Sequence, residues 1–377
     1  MKITVLGAGN GGCFTALNYG WSSRNIDDVE IELIHNPDIP AEKVGQGTQV
    51  NVTLLLELAL GFNWYNNNFY ATPKTGILYE GWGKANKEFF HPFPPNYLAV
   101  HYCPTTLQNT ILKSGHFKVI EKDISDPKEI DADYVFDCRG TPKDFTDYNT
   151  LINPVNSAIL AKPNWRTSEV LWTRAVATPD GWCFIIPSSE ESPSFEGGVG
   201  YLYNRDITNL KNAEQNLLNM FDVDITNHLT FKNYVAKNPV IDDRIFLNGN
   251  RLCFLEPLEA TAIETYLKVS WIVMDQIIHK KTNSEQTRNS ILKLVDQIQT
   301  FILWHYYFGS KYDTLFWKEA SKLSFQDPTF YSLIDKVKRE IKKEERWADD
   351  DTYSLHNLYG VWLPFSVDNW YRGMMYK

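Results

Sequence analysis

Apolar and polar positions follow a strand–helix–strand order at the start of the chain. Residues 3–6 form a short apolar run, a glycine-rich stretch covers residues 7–12, residues 13–21 have helical spacing, and residues 29–34 form a second apolar run. Short apolar runs bounded by turn residues indicate buried strands, and the periodic segment between them indicates a helix. The order therefore predicts a βαβ unit of a parallel sheet, with the glycines at its first turn.

The same criteria predict the later elements. Further strands are expected at residues 76–79, 116–120, 134–137, 182–186, 198–203 and 251–255, and helices at residues 49–60 and 210–221. Another helix carries one apolar face formed by Ile263, Leu267, Trp271, Met274 and Ile278. From residue 285 on the pattern is mostly helical. The strands at 182–186 and 198–203 are expected to belong to a second sheet.

These elements predict an α/β fold in three parts. Residues 1–150 together with about 240–280 are expected to form one module around the parallel sheet. Residues from about 151 to 240 are expected to insert the second sheet, and residues 281–377 to form a helical region. The first module would then be assembled from segments that are distant in sequence.

Composition and charge narrow the function. The 377 residues are 43% hydrophobic and 22% charged, which is typical of globular proteins, and carry a formal net charge of −9. Nucleic-acid binding is disfavoured because it requires clustered positive charge, and the basic and acidic residues at 336–346 are mixed, as on a solvated helix face. The aromatic content of 14% is compatible with a pocket for a flat ligand as well as with an aromatic core.

The cysteine and histidine patterns argue against structural cross-links. Five cysteines occur without any CxxC pair, and none of the eight histidines has metal-ligand spacing. We therefore expect neither a disulfide framework nor a metal. The sequence shows neither a signal peptide nor an apolar stretch long enough to cross a bilayer, so a cytoplasmic protein with no membrane partner is expected.

The glycine-rich turn matches a dinucleotide-binding fingerprint. Gly7, Gly9 and Gly12 have its spacing, and Gly11 lies in the same loop. Glycines allow the backbone to approach a pyrophosphate, whose charge the helix N-terminus stabilises. The acidic residue that usually follows the second strand is replaced by His35, which can still hydrogen-bond a ribose hydroxyl.

Several segments, in order along the whole chain, resemble flavin-dependent halogenases. The stretch 71–77 resembles the surroundings of their essential lysine, 181–187 their WxWxIP signature with Phe184 in place of the second Trp, and 256–263 the segment with their catalytic glutamate and halide site. Residues 44–48 correspond to their flavin strap, and residues 301–306, 313–317 and 369–373 resemble their C-terminal region. The length is similar to that of compact halogenases encoded by marine phages.

This resemblance implies a Rossmann-like FAD-binding fold of the aromatic-monooxygenase type, with an inserted β-sheet and a helical region that covers the substrate. It also implies an oxidoreductase that uses reduced FAD, oxygen and a halide (bromide, iodide or chloride) to make hypohalous acid. Because the chain is shorter than typical tryptophan halogenases, we expect a free phenol, indole or similar electron-rich arene as substrate. A separate flavin reductase is implied as a partner, and a homo-oligomer is compatible with the family.

The resemblance also assigns roles to individual residues. Lys74 matches the residue that handles the electrophile, either as a hydrogen-bond donor or as a transient haloamine, and burial would lower its pKa. Glu259 matches the partner acid or base. The remaining implied assignments are Thr261 and Ala262 for halide, Val44, Gly45, Gln46 and Ile263 for the flavin, and Trp182, Phe184 and Pro187 for packing beside it.

Four departures from the family pattern leave alternatives open. Gln46 replaces an acid, Ala260 a serine and Ala262 a glycine, and His35 occupies the ribose position. The methyl group of Ala262 changes the halide site, from which we hypothesise a preference for bromide or iodide over chloride. A flavin monooxygenase would share the glycines and residues 137–140, and a non-catalytic flavin-binding relative is the third reading. Without the resemblance, Lys74 would be interpreted as a surface lysine, and for Glu259 an acid or base role and a carboxylate stabilised at a helix N-terminus would be equally compatible with the sequence.

Overall fold

The computed structural model describes residues 1–40, 46–83, 88–93, 97–189, 198–326, 361–362 and 364–375. Val44, Gly45 and the mixed-charge run at 336–346 lie outside the described residues. The strands are β1 (Lys2–Leu6), β2 (Glu30–His35), β3 (Gln46–Gly47), β4 (Thr72–Lys74), β5 (Gly76–Glu80), β6 (Phe89–Pro92), β7 (Ala99–Tyr102), β8 (Lys118–Glu121), β9 (Tyr134–Asp137), β10 (Tyr148–Thr150), β11 (Ser157–Pro163), β12 (Thr173–Thr178), β13 (Gly181–Ile185), β14 (Val199–Tyr203), β15 (Val223–Thr230), β16 (Tyr234–Ala236), β17 (Val240–Ile241), β18 (Ile245–Leu247) and β19 (Cys253–Phe254). The α-helices are α1 (Asn10–Ser22), α2 (Val50–Leu60), α3 (Pro104–Leu112), α4 (Leu210–Met220), α5 (Ala262–Ile277), α6 (Ser284–Phe308), α7 (Leu315–Leu323) and α8 (Pro364–Met375).

A six-stranded sheet of order β17-β18-β9-β1-β2-β8 forms the first layer. Its five strands from β18 to β8 are parallel, and β17 adds an antiparallel edge. The predicted βαβ start is confirmed, because β1 and β2 pair in parallel and α1 connects them. The α/β fold class is also confirmed, and the sheet draws strands from residues 2–137 and again from 240–247.

A seven-stranded sheet of order β15-β11-β14-β13-β12-β5-β6 forms the second layer. The predicted strands at 182–186 and 198–203 pair antiparallel within it as β13 and β14. Strands β5 and β6 also belong to this sheet, since β5 pairs in parallel with β12 and antiparallel with β6. Side chains of both sheets and of α5 and α6 share one core, which includes Val5, Trp182, Val269 and Phe301.

Two smaller sheets have three strands each. The sheet β3-β7-β4 joins residues 46–47 to residues 72–74 through the central strand β7. The sheet β10-β16-β19 ends in Cys253–Phe254. The predicted strand at 251–255 is therefore wrong in its length, because residues 249–251 form a 3₁₀ turn that begins at Gly249 with φ +63°.

Candidate active site

The glycine-rich turn is held by backbone contacts that a side chain would disrupt. Gly7 has φ +97° and donates its N–H to the carbonyl of Ile34 at 2.8 Å. A Cβ on Gly12 would lie 1.8 Å from the carbonyl oxygen of Gly7, and a Cβ on Gly11 would lie 2.7 Å from Cα of Gly249. The first turn of α1 therefore packs directly on its neighbours.

The N-terminus of α1 offers space for a dinucleotide. A Cβ on Gly9, the residue before the helix, would meet nothing within 4 Å. Asn10, the first residue of α1, lines the cavity described below. Open space beside the free N–H groups of a helix N-terminus fits a pyrophosphate. His35 ends β2, and its backbone carbonyl accepts a hydrogen bond from the N–H of Lys122 at 2.9 Å.

One cavity of about 410 Å³ brings together residues from across the chain. The predicted site residues that line it are Gln46, Lys74, Trp182, Phe184, Glu259, Thr261, Ala262 and Ile263. His35 and Pro187 are not among the described residues of its wall, although Pro187 is buried. The cavity thus extends from the first residue of α1 to the ammonium group and the carboxylate that were expected to act together.

Lys74 is fully buried, so the surface-lysine reading is wrong. It ends β4, and its Nζ donates to the carbonyl oxygen of Thr48 at 3.0 Å. Nζ also lies 5.3 Å from the ring centroid of Phe93. Burial lowers the pKa of Lys74 to about 8, against the opposing effect of the Glu259 charge.

The backbone at Glu259 adopts an uncommon conformation that turns the side chain inward. Glu259 has φ +71° and Ala260 has φ +54°, both in the left-handed region that non-glycine residues rarely occupy. Gln49 donates its Nε2 to the carbonyl oxygen of Glu259 at 2.6 Å and so holds this turn. Glu259 therefore lies within a 3₁₀ turn that immediately precedes the N-terminus of α5.

The carboxylate of Glu259 is enclosed by polar side chains from four segments. Tyr79 and His305 contact Oε1, His305 Nε2 at 3.1 Å, and Trp362 donates its Nε1 to Oε2 at 3.1 Å. His91 Nδ1 lies 3.6 Å from Oε1. Burial by itself would raise the pKa of Glu259, but the charge of His91 and the hydrogen bond of His305 outweigh it and hold the pKa well below its usual range.

The two residues predicted to bind halide lie at the start of α5. Ala262 begins this 16-residue helix directly after Thr261, and both residues line the cavity beside Glu259. Thr261 accepts the N–H of Thr265 at 2.9 Å through its carbonyl oxygen, which starts the helical hydrogen bonding. N–H groups at a helix start attract anions. The predicted helix start at this position is confirmed.

Trp182 and Phe184 form an aromatic wall of the cavity from strand β13. Their ring centroids lie 6.1 Å apart, and both side chains are buried. Trp182 donates its Nε1 to Oε1 of Glu256 at 3.3 Å. A Cβ on Gly200 would lie 2.1 Å from the ring of Phe184, so the neighbouring strand has room for this ring only because residue 200 is glycine.

Sequence reasoning missed most of the groups around Glu259. Tyr79 lies in a predicted strand and His305 in a segment that resembles halogenases, but no spacing rule connects them to residue 259. Glu256 begins another such segment without an assigned role, and His91 and Trp362 were not identified at all. A search for polar residues in apolar segments would have flagged His91 and His305, because such residues are buried only with partners.

Three general expectations can be compared with the described part of the chain. Its helices include none that is long and apolar enough to span a membrane. All five cysteines are buried there, and none forms a disulfide. No group of three or more His, Cys, Asp or Glu side chains among the described residues is arranged to hold a metal ion.

Comparisons with known proteins identify a family and several relatives of this chain. The family model "Tryptophan halogenase" matches residues 2–114 and 114–362. Tryptophan 7-halogenase RebH of Lentzea aerocolonigenes is 25% identical over 163 residues, which cover 41% of this chain and 30% of RebH. Tryptophan 6-halogenase ThaL of Streptomyces albogriseolus is 26% identical over 179 residues, which cover 44% of this chain and 31% of ThaL. The chain thus matches less than half the length of these curated relatives.

Solved structures of similar proteins have the same fold. A tryptophan halogenase from Shewanella frigidimarina NCIMB 400 superposes with a TM-score of 0.80 at 16% identity, covering 100% of this chain and 89% of that one. The thermophilic tryptophan halogenase Th-Hal from Streptomycin violaceusniger gives a TM-score of 0.76 at 18% identity, covering 99% and 91%. These similarities confirm the Rossmann-like FAD-binding fold expected from the sequence. Since the family model spans nearly all of the sequence, the chain belongs to the tryptophan halogenase family.

Proposed function

We propose that this protein uses reduced FAD, oxygen and a halide to halogenate a small, electron-rich aromatic compound. The observation that carries the proposal is the cavity shared by the buried Lys74, the buried Glu259 and the first residue of α1. FAD binding is supported by the glycine turn and the open space beside Gly9. When bound, reduced FAD supplies the electrons with which oxygen converts the halide into hypohalous acid.

Two residues of the chain then act on protons, Lys74 as the donor and Glu259 as the acceptor. Lys74 donates a hydrogen bond to the oxygen of hypohalous acid while a carbon of the arene attacks the halogen and the O–halogen bond breaks. Glu259 accepts the ring proton, and the departing oxygen leaves as water with a proton from Lys74. The products are the halogenated arene and water, and transfer of the proton from Glu259 back to Lys74 restores both groups.

The protonation states of the two residues suit these roles. With a pKa of about 8, Lys74 is mainly an ammonium ion at neutral pH and is a better donor than an unperturbed lysine. Glu259 is a weak base because its pKa is held low. A weak base suffices, since a ring carbon that carries both hydrogen and halogen is a very strong acid.

The aromatic wall of Trp182 and Phe184 keeps the passage free of water. Apolar side chains also line it at Ile77, Leu160 and Leu202. Exclusion of water protects hypohalous acid and strengthens the electrostatic effect of Lys74. The proposed module boundaries near residues 150, 240 and 280 would leave this wall on the inserted sheet, and Lys74 and α5 on the parts that flank it.

Product mass tests the proposal directly. The full chain is supplied with FAD, a separate flavin reductase, oxygen and a mixture of halides, together with a panel of free phenols and indoles. We expect products that gain the mass of a halogen with loss of hydrogen. Products that gain oxygen instead would identify a flavin monooxygenase, and failure to bind or turn over FAD would identify a non-catalytic relative.

We further propose that bromide and iodide are used better than chloride. The methyl group of Ala262 makes the anion position less polar, and a larger halide loses less hydration free energy on entering it. In equal-halide competition, Ala262→Gly is expected to raise the ratio of chlorinated to brominated product by about fivefold, equivalent to about 1 kcal/mol. Ala260→Gly, which also removes a methyl group from the cavity wall, serves as the matched control. A chloride preference of the unmodified protein would contradict this proposal.

A further inference from the structure

A second buried acid lies three residues before Glu259. Glu256 is fully buried and contributes to the same cavity wall. Its Oε1 accepts hydrogen bonds from Trp182 Nε1 at 3.3 Å and from the Tyr306 hydroxyl at 2.5 Å. Its backbone N–H donates to Oδ1 of Asn233 at 3.0 Å. The halogenation steps proposed above do not use this acid.

The surroundings of Glu256 favour its neutral form. Oε2 is buried and has no hydrogen-bond partner in the described part of the chain, and the donors at Oε1 are both uncharged. The ion pairs found among the described residues do not include Glu256, and a buried carboxylate without a cation is strongly disfavoured. Burial accordingly raises the pKa of Glu256 to about 8, even though the hydrogen bonds of Tyr306 and Trp182 oppose the increase.

Glu256 also links three parts of the site. Trp182 belongs to the aromatic wall on β13, and Tyr306 belongs to α6. The residue before Tyr306 is His305, which contacts Glu259. Two adjacent residues of α6, His305 and Tyr306, therefore contact Glu259 and Glu256, respectively. The short segment that carries these two acids contains the left-handed turn at Glu259.

We propose that Glu256 is a positioning residue that acts as a neutral acid, holding Trp182 and Tyr306 together and thereby fixing the turn that presents Glu259. Ionisation of Glu256 would place a charge on a buried oxygen without a donor and loosen this arrangement. The inference rests on the proposed function only where it concerns halogenation. The protonation of Glu256 and its effect on stability are properties of the folded chain.

The expected pH dependence follows from the groups that face Glu256. They are Tyr306 from α6, the indole of Trp182 from β13, and Asn233 from the segment before β16. Burial and the charge of Glu256 hold the pKa of Tyr306 well above its usual value, so Tyr306 remains a donor. Between about 4.5 and about 8 the folded state keeps a proton that the unfolded state loses. Stability therefore falls as the pH rises through this window.

Infrared spectroscopy and thermal unfolding test the neutral acid without any activity measurement. In the full chain, a band of a protonated carboxylic acid should disappear as the pH is raised through about 8, and this change should be absent in Glu256→Gln. The stability of Glu256→Gln relative to the unmodified protein should rise between about pH 4.5 and 8. Glu285→Gln, at an exposed position of α6, is the control, and it should change neither the infrared transition nor the pH dependence of stability. Identical infrared spectra of the unmodified protein and Glu256→Gln across this range would overturn the inference.

Tyr306→Phe provides a directional test. The hydrogen bond of Tyr306 lowers the pKa of Glu256, so its removal should move the infrared transition to higher pH. If Tyr306 only filled space, no such shift would be expected. An unchanged transition, or one moved to lower pH, would contradict the proposed role.

Coupling of flavin oxidation to halogenation tests the positioning role. The halogenated product formed per reduced flavin should be similar for Glu256→Gln and the unmodified protein at pH 7. At pH 9 the yield of Glu256→Gln should exceed that of the unmodified protein about tenfold, because a group with a pKa of about 8 is about nine-tenths ionised there. A ratio that stays constant with pH would overturn the positioning role. Absence of halogenated product from both proteins would instead count against the proposed function, while the infrared result would still decide the state of Glu256.

Discussion

Replacement of Lys74 by alanine is expected to lower the rate of halogenation at least about 100-fold, the typical cost of losing one buried donor aimed at developing charge. Release of hydrogen peroxide from reduced FAD should continue, because Lys74 lies on β4 and the glycine turn for the cofactor lies before α1. Halogenated product and peroxide should be measured in the same reaction. Retained halogenation would remove Lys74 from the mechanism.

Two controls separate chemistry from folding. Lys74→Met fills the same space without a charge, and the folded state already disfavours the ammonium form of Lys74, since burial lowers its pKa. This variant should therefore fold at least as well as the unmodified protein at pH 7 and be equally inactive. Lys211→Ala changes an exposed lysine on α4 and should leave the rate unchanged. Loss of FAD binding in Lys74→Met would mean that the lysine supports the fold rather than the reaction.

The pH profile distinguishes the two roles that the sequence left open for Lys74. As a hydrogen-bond donor the ammonium ion is required, so the rate should fall as the pH rises through about 8. We expect this result, which is best measured in Glu256→Gln to remove the other group with a pKa of about 8. A rate that rises through the same range would support a transient haloamine, because only the neutral amine is nucleophilic.

Replacement of Glu259 by glutamine is expected to lower halogenation at least about 100-fold, within the range for a lost general base. Glutamine has nearly the same shape but cannot accept the ring proton. Loss of that proton should then become slow, so a substrate deuterated at the halogenated carbon should show a primary isotope effect in Glu259→Gln. A rate near that of the unmodified protein, without an isotope effect, would exclude Glu259 as the base.

The stability of this variant must be measured alongside its rate. The pKa of Glu259 lies below its ordinary value of about 4.5, so the carboxylate stabilises the fold above that pH and loses this effect as the pH falls further. Glu259→Gln should therefore unfold at a lower temperature at pH 7. Rates should be compared at a temperature where both proteins are folded, with Glu285→Gln as the control for the same substitution at an exposed acid.

Local pattern accounted for the elements around the cofactor turn. The apolar run before Gly7, the helix after it and the second strand are all confirmed, because each is a short apolar segment bounded by turn residues close by in the sequence. The start of α5 at Ala262 was also predictable, since an apolar face of helical period begins there. The segment 251–255 was not, because a positive φ at Gly249 leaves no mark in the apolar pattern.

The sequence by itself determined the parallel-sheet start, the second sheet's β13 and β14, and the residue types of the candidate site. Only the tertiary structure brought the Lys74 ammonium to the Thr48 carbonyl and buried Glu259 among donors 46 to 180 residues away in the chain. It also decided that β5 and β6 pair within the second sheet. The physical reason is range: periodicity reports which face of an element is buried, whereas a pKa and a hydrogen bond depend on neighbours that folding brings from distant segments.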